Sequence, residues 1–144
     1  MFFVILIAWA HAITCPPLAD LSPCYCTEFF TPNKASLWCV GLNLDDAKMG
    51  EILDNYLAAG DSVSPLEVLY LDQNQLTRVP NQIACFPSVF YVNLEKNRIS
   101  SIASGSFNFG AEIPPIRLFL GYNKLLSIEA GAFQGNALTV YINY

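Results

Sequence analysis

Histidine is almost missing from this chain of 144 residues: the single one is His11, inside an apolar N-terminal run. Charge is scarce as well. Only 13% of the residues are Asp, Glu, Lys or Arg, and they sum to −5. Seven Lys and Arg make no basic patch for a phosphate backbone, so no nucleic-acid partner is expected. No stretch after the N-terminus is long and apolar enough to cross a bilayer, which takes about 20 residues in a helix. N-x-S/T sequons are absent, so N-glycosylation is not expected.

What is present begins with "MFFVILIAWAHA". It is apolar from Phe2 to Ala10 and ends in the A-x-A triplet Ala10-His11-Ala12. Residues 1–12 read as a secretory signal peptide; a core strand or interfacial anchor is the competing reading. Cleavage after Ala12 removes the only histidine. His-based acid–base catalysis, Ser–His or Cys–His nucleophiles and His-ligated metals are then excluded. Acidity is uneven along the chain. Eight of the 12 acids lie at or before Glu67. The length suits one domain, and a hydrophobic content of 53% suits a sizeable core.

Four of the five cysteines crowd together as Cys15, Cys24, Cys26 and Cys39. In an oxidising compartment such a cluster reads as disulfides. Zinc is disfavoured, because C-x-C is too short for the usual knuckle. Adjacent C-x-C partners point to opposite faces of an extended chain. That leaves 15–26 with 24–39, or 15–24 with 26–39. Cys85, in "IACFPSVF", reads as a buried small hydrophobe rather than an intermolecular bridge.

The segment "LDDAKMGEILDNYLAAGDSVSP" places Ala47, Met49, Ile52, Leu53, Tyr56 and Leu57 at helical spacings. Asp45 or Asp46 is the expected N-cap, and Gly60 the end. Capping accounts for the two acids without a catalytic pair or a calcium site.

"LEVLYLDQNQLTRVP" carries apolar residues at Leu66, Leu69, Leu71, Leu76 and Val79 around Asn74. The spacing recurs as Val89, Val92, Leu94, Asn97, Ile99, Ile102, and again as Leu118, Leu120, Asn123, Leu125, Ile128. "LTVYINY" starts a fourth copy. An L-x-L triplet makes a short strand with one buried face. The asparagine amide can bond to backbone groups that the following turn leaves unpaired. Asn74, Asn97 and Asn123 are thus the expected asparagine ladder.

These motifs resemble the extracellular leucine-rich-repeat proteins, L-x-x-L-x-L-x-x-N-x-L, over residues 66–144. The cysteine cluster resembles their N-terminal cap. The cap, the helical segment and "QLTRVP" are together similar to arthropod secreted repeat proteins, among them the non-catalytic repeat subunit of shrimp luciferin monooxygenase. The resemblance implies an α/β solenoid with short parallel strands on a concave face. It implies the pairs Cys15–Cys26 and Cys24–Cys39. It divides the chain into a signal peptide (1–12), a cysteine-rich cap (13–44), a helical linker (45–65) and leucine-rich repeats (66–144), three full and a fourth truncated as in a fragment of a longer protein.

On this reading the residues between the leucines face the concave side. Tyr70, Asn93, Phe119 and Tyr141, flanked by Asp72, Tyr91, Glu95 and Arg117, are the candidate partner-binding residues. Aromatics there suit binding, and they equally suit cross-strand packing. No nucleophile–base pair, phosphate loop or metal cluster stands out. The expected function is a non-enzymatic secreted or cell-surface module that binds a protein partner, without cofactor or metal. The alternative is an accessory subunit of a secreted enzyme complex.

Overall fold

The computed structural model of the chain describes residues 15–28, 33–109, 115–134 and 138–142. The expected signal peptide lies outside the described residues. In chain order the elements are α1 (Leu18–Leu21), β1 (Tyr25–Thr27), β2 (Ala35–Trp38), α2 (Asp46–Ala59), β3 (Leu66–Tyr70), β4 (Tyr91–Asn93), β5 (Ser101–Ile102), β6 (Ile116–Phe119), β7 (Ser127–Ile128) and β8 (Leu138–Tyr141). Two 3-10 helices, Gly60–Ser62 and Asn81–Cys85, flank β3.

Six strands form one sheet in the order β1-β2-β3-β4-β6-β8, while β5 and β7 pair separately. β1 runs antiparallel to β2, and the pairs from β2 to β8 are parallel. Connection length explains the mixture. Only residues 28–34 join β1 to β2, too few for the crossover of a dozen or more that a parallel pair requires. The later connections, such as 39–65 and 71–90, are long enough.

The leucine-rich-repeat solenoid expected from the sequence is therefore corrected. The sheet is mixed rather than all-parallel, and its connections differ in kind. A helix of 14 residues links β2 to β3, a 3-10 turn links β3 to β4, and two-residue strands lie in the later links. The architecture is an irregular mixed-sheet α/β fold with an N-terminal disulfide pair.

The core lies under one sheet face. Leu37, Leu69, Val92 and Leu118 form one cross-strand row, and all are fully buried. Cys39, Leu71, Leu94 and Leu120 form the next row inward. Helix α2 closes the core near the cysteines with Met49, Ile52, Leu53 and Tyr56. The Asp45 carboxylate caps it, accepting from the Lys48 amide at 2.8 Å. Gly60 ends the helix at φ +53°, where a side chain would be strained. Asp46 accepts instead from the Thr77 amide at 3.0 Å and from its hydroxyl, tying α2 to the turn after β3.

Each of the three ladder asparagines bonds to its own turn and to the one before it. The Asn97 amide donates to the carbonyls of Leu94 and Glu95 and, at 3.1 Å, to Leu71, while its Oδ1 accepts from the Leu76 amide. Asn74 reaches back to the Cys39 carbonyl and the Leu44 amide, and Asn123 to the Leu94 carbonyl and the Ile99 amide. The residue before each asparagine is left-handed: Gln73, Lys96 and Tyr122 have φ of 59°, 53° and 55°. Side chains resist that conformation by roughly 1–2 kcal/mol. The amides of Gln73 and Lys96 compensate by bonding to Glu95 and Gly121 carbonyls at 3.0 Å.

Candidate functional site: the aromatic face of the sheet

Alternation along a strand sends every second residue to the face opposite the core. Register then fixes which of these residues meet. Trp38, Tyr70, Asn93, Phe119 and Tyr141 share one cross-strand row; Ser36, Val68, Tyr91, Arg117 and Thr139 share its neighbour on the same face.

Rings from the two rows join into one ladder. Tyr25 stacks on Trp38 with centroids 5.9 Å apart, and Trp38 on Tyr70 at 3.9 Å. Tyr70 meets Tyr91 at 5.4 Å, Tyr91 meets Phe119 at 5.0 Å, and Phe119 stacks on Tyr141 at 4.5 Å. Every strand of the main sheet contributes one ring. On β4 that ring is Tyr91 from the neighbouring row, and it bridges the gap left by Asn93. The Asn93 side chain accepts from the Glu95 amide at 3.0 Å, a bond within its own turn. The end rings are the most open: Tyr25 is 51% exposed and Tyr141 42%. The four between them are half-buried. The near-parallel stacks at both ends, 1° and 8° between planes, turn ring faces toward each other.

Charge collects around the middle of the ladder. Burial pushes the Tyr91 phenol above its ordinary pKa; Tyr70, Glu95 and Asp72 push the same way, and Arg117 opposes them. Asp72 also accepts from its neighbour Gln73 at 3.0 Å. The structure thus brings Tyr70, Asp72, Tyr91, Glu95, Arg117, Phe119 and Tyr141 to one face. Tyr25 was missed by sequence reasoning. The alternation Tyr25-Cys26-Thr27 beside a disulfide was the signal for it.

The second feature is a cavity of about 360 Å³ between the C-terminal end of α2 and the 3-10 helix Asn81–Cys85. Tyr56, Val63, Leu66, Phe86, Asp61 and Cys85 are among its lining residues. Cys85 is exposed, not buried as its apolar neighbours suggested. It ends a short 3-10 helix whose inward residue is Ile83. Tyr56 is buried, and its hydroxyl donates to the Ser64 carbonyl at 2.6 Å. Burial, with Glu28 second, holds that phenol well above the ordinary tyrosine range.

The disulfides are Cys15–Cys26 and Cys24–Cys39, with Cα atoms 5.7 and 4.6 Å apart. Among the described residues no His, Cys, Asp or Glu group could hold a metal, and no helix is long and apolar enough to span a membrane.

Fold and face together define an irregular mixed-sheet α/β domain with disulfide-tied first strands and an aromatic ladder. No family model matches the chain, and no solved structure matches it. The membership suggested by the leucine and asparagine spacing, in the leucine-rich-repeat proteins and in their arthropod secreted relatives, is corrected accordingly. Such spacing specifies strands and turns locally, and strand–turn units of that kind are not confined to one family.

Proposed function

We propose that this chain is a non-enzymatic recognition domain that works outside the cell and binds a protein partner through the aromatic face of its sheet. The observation that carries the reading is the ladder itself: six rings, one per strand, on the face away from the core. Rings held by their neighbours lose little freedom on binding, and tyrosine is among the residues enriched at the anchors of protein interfaces. Asp72, Glu95 and Arg117 beside them offer charges of both signs, which suits a polypeptide surface rather than a polyanion. The extracellular setting rests on the N-terminal apolar segment and on the disulfides. The non-enzymatic reading rests on the sequence, which has no histidine after Ala12.

A paired measurement tests this. Partner affinity and melting temperature are compared for Tyr141→Ala and Phe119→Ala, using protein retained from the extracellular fluid of the native source. An anchor worth about 2 kcal/mol weakens binding roughly 30-fold. Loss of stability with unchanged affinity per folded molecule would overturn the reading and leave the ladder as packing alone.

A further inference from the structure

The aromatic ladder changes character at β4. Its outer ring pairs lie within 21° of parallel, so their faces cover one another. Tyr91 stands at 50° to Tyr70 and 37° to Phe119. Planes tilted that far open into wedges and leave ring face uncovered. Two carboxylates stand at the same place. Pairing of β3 with β4 continues past the strands, since the Gln73 amide donates to the Glu95 carbonyl at 3.0 Å. Asp72 and Glu95 therefore lie side by side, one row beyond Tyr70 and Asn93 on the aromatic face. Both are half-buried, and neither forms a salt bridge among the described residues. Burial and then Tyr70 raise the pKa of the Tyr91 phenol, and Glu95 and Asp72 add to them, so both acids act on that ring. Arg117 opposes them. It is the register partner of Tyr91, two rows from the acids, about 13 Å along the strands.

We propose that the polypeptide partner of this face seats an arginine side chain in the wedge at Tyr91, with Asp72 and Glu95 taking its charge. The inference rests on the aromatic face being the binding surface. Charge complementarity selects the occupant. An acidic side chain would meet two like charges, and an apolar one would cover two carboxylates without pairing them. A cation pairs them and is drawn to the open ring faces as well. Shape then favours arginine over lysine. The guanidinium is flat, so it enters between tilted rings, and its forked N–H donors can bond to both carboxylates at once. An ammonium brings the charge without the plane. The net charge of −5 on the chain favours approach of a basic segment. Arg117, at the other end of the face, orients that segment by repelling its basic side chain toward the acids.

Titration of the full chain with N-acetyl-arginine amide, followed by the NMR shifts of the Tyr91 ring protons, tests the proposal. Saturable shifts with a dissociation constant on the order of 10 mM are expected at low salt. N-acetyl-lysine amide should bind at least roughly threefold more weakly, and the neutral citrulline analogue at least roughly tenfold. Asp72→Asn combined with Glu95→Gln keeps shape and removes charge. It should weaken arginine amide at least roughly fivefold, with melting followed on the same samples. Shifts that never saturate, arginine and citrulline amides bound alike, or a double variant that binds as the wild type does would each overturn the proposal. The partner retained from extracellular fluid separates this inference from the one beneath it. Affinity lost in Tyr141→Ala and Phe119→Ala but kept in the double variant overturns the arginine seat and leaves the recognition face standing. Arginine amide bound by the wild type, with partner affinity kept in both alanine variants, does the reverse.

Discussion

The two ends of the main sheet carry strands of similar length and opposite finish. At the β1 end two disulfides, helix α1 and the antiparallel return of the chain cover the core, and Leu21, Cys24, Leu37 and Cys39 are buried to 1% exposure or less. At the β8 end the equivalent layers thin out. Asn74 and Asn97 are buried whereas Asn123 is half-exposed, and Phe107 is fully buried whereas Phe133, stacked on it at 5.6 Å, is not. Similar sequence thus gives a closed layer in one place and an open one in another. Burial here is set by neighbours on both sides, and among the described residues the β8 layer has a neighbour on one side only.

The largest effect should come from opening the closed end. Replacing Cys24 and Cys39 together with Ala should lower unfolding free energy by about 2–5 kcal/mol, read from denaturant titration. A loss under 1 kcal/mol would mean that packing, not the cross-link, closes that end.

Asn97→Leu comes next. It leaves the turn groups of two layers without partners in a buried place, at roughly 1–3 kcal/mol. Asn123→Leu should cost less, because water can reach the half-exposed turn. Equal losses in melts of the two variants would contradict the graded burial.

Tyr56→Phe removes a buried hydrogen bond to Ser64 and should cost about 1 kcal/mol at neutral pH. Its pH dependence is more telling. Burial raises the folded pKa of this acid above its unfolded value of about 10, so the unfolded chain ionises first. The contribution is fully present below pH ~10 and falls as pH rises from there toward the folded value. Wild-type stability should decline above pH ~10 more steeply than that of Tyr56→Phe. Parallel declines would show that the phenol is not held in a dry site.

The smallest effect is expected at the open end. Leu126→Ser should change stability by less than about 0.5 kcal/mol, since the side chain is 90% exposed. A larger loss would mean that the Leu126 side chain packs on the rest of the fold.

Local chemistry is legible in the sequence because it is written in adjacent residues. Asp45 and Gly60 mark the two ends of α2: a carboxylate can accept from the first-turn amides, and only glycine enters the left-handed region without strain. Alternating apolar residues mark the inward positions of β3, β4 and β6, and an asparagine after each strand supplies both the donors and the acceptor that a bend needs. What tertiary structure alone decided lies between segments. The antiparallel return of β1 makes the sheet mixed, a consequence of a connection too short to cross over. Tyr91 rather than Asn93 carries the ladder across β4, because side chains from neighbouring rows meet only once register is set. Cys85 is exposed because a 3-10 turn points Ile83 inward in its place. The bare side chains at β7 and β8 follow from position in the stack: apolar spacing says which side of a strand seeks cover, and only the assembled sheet says whether a neighbour is there to provide it.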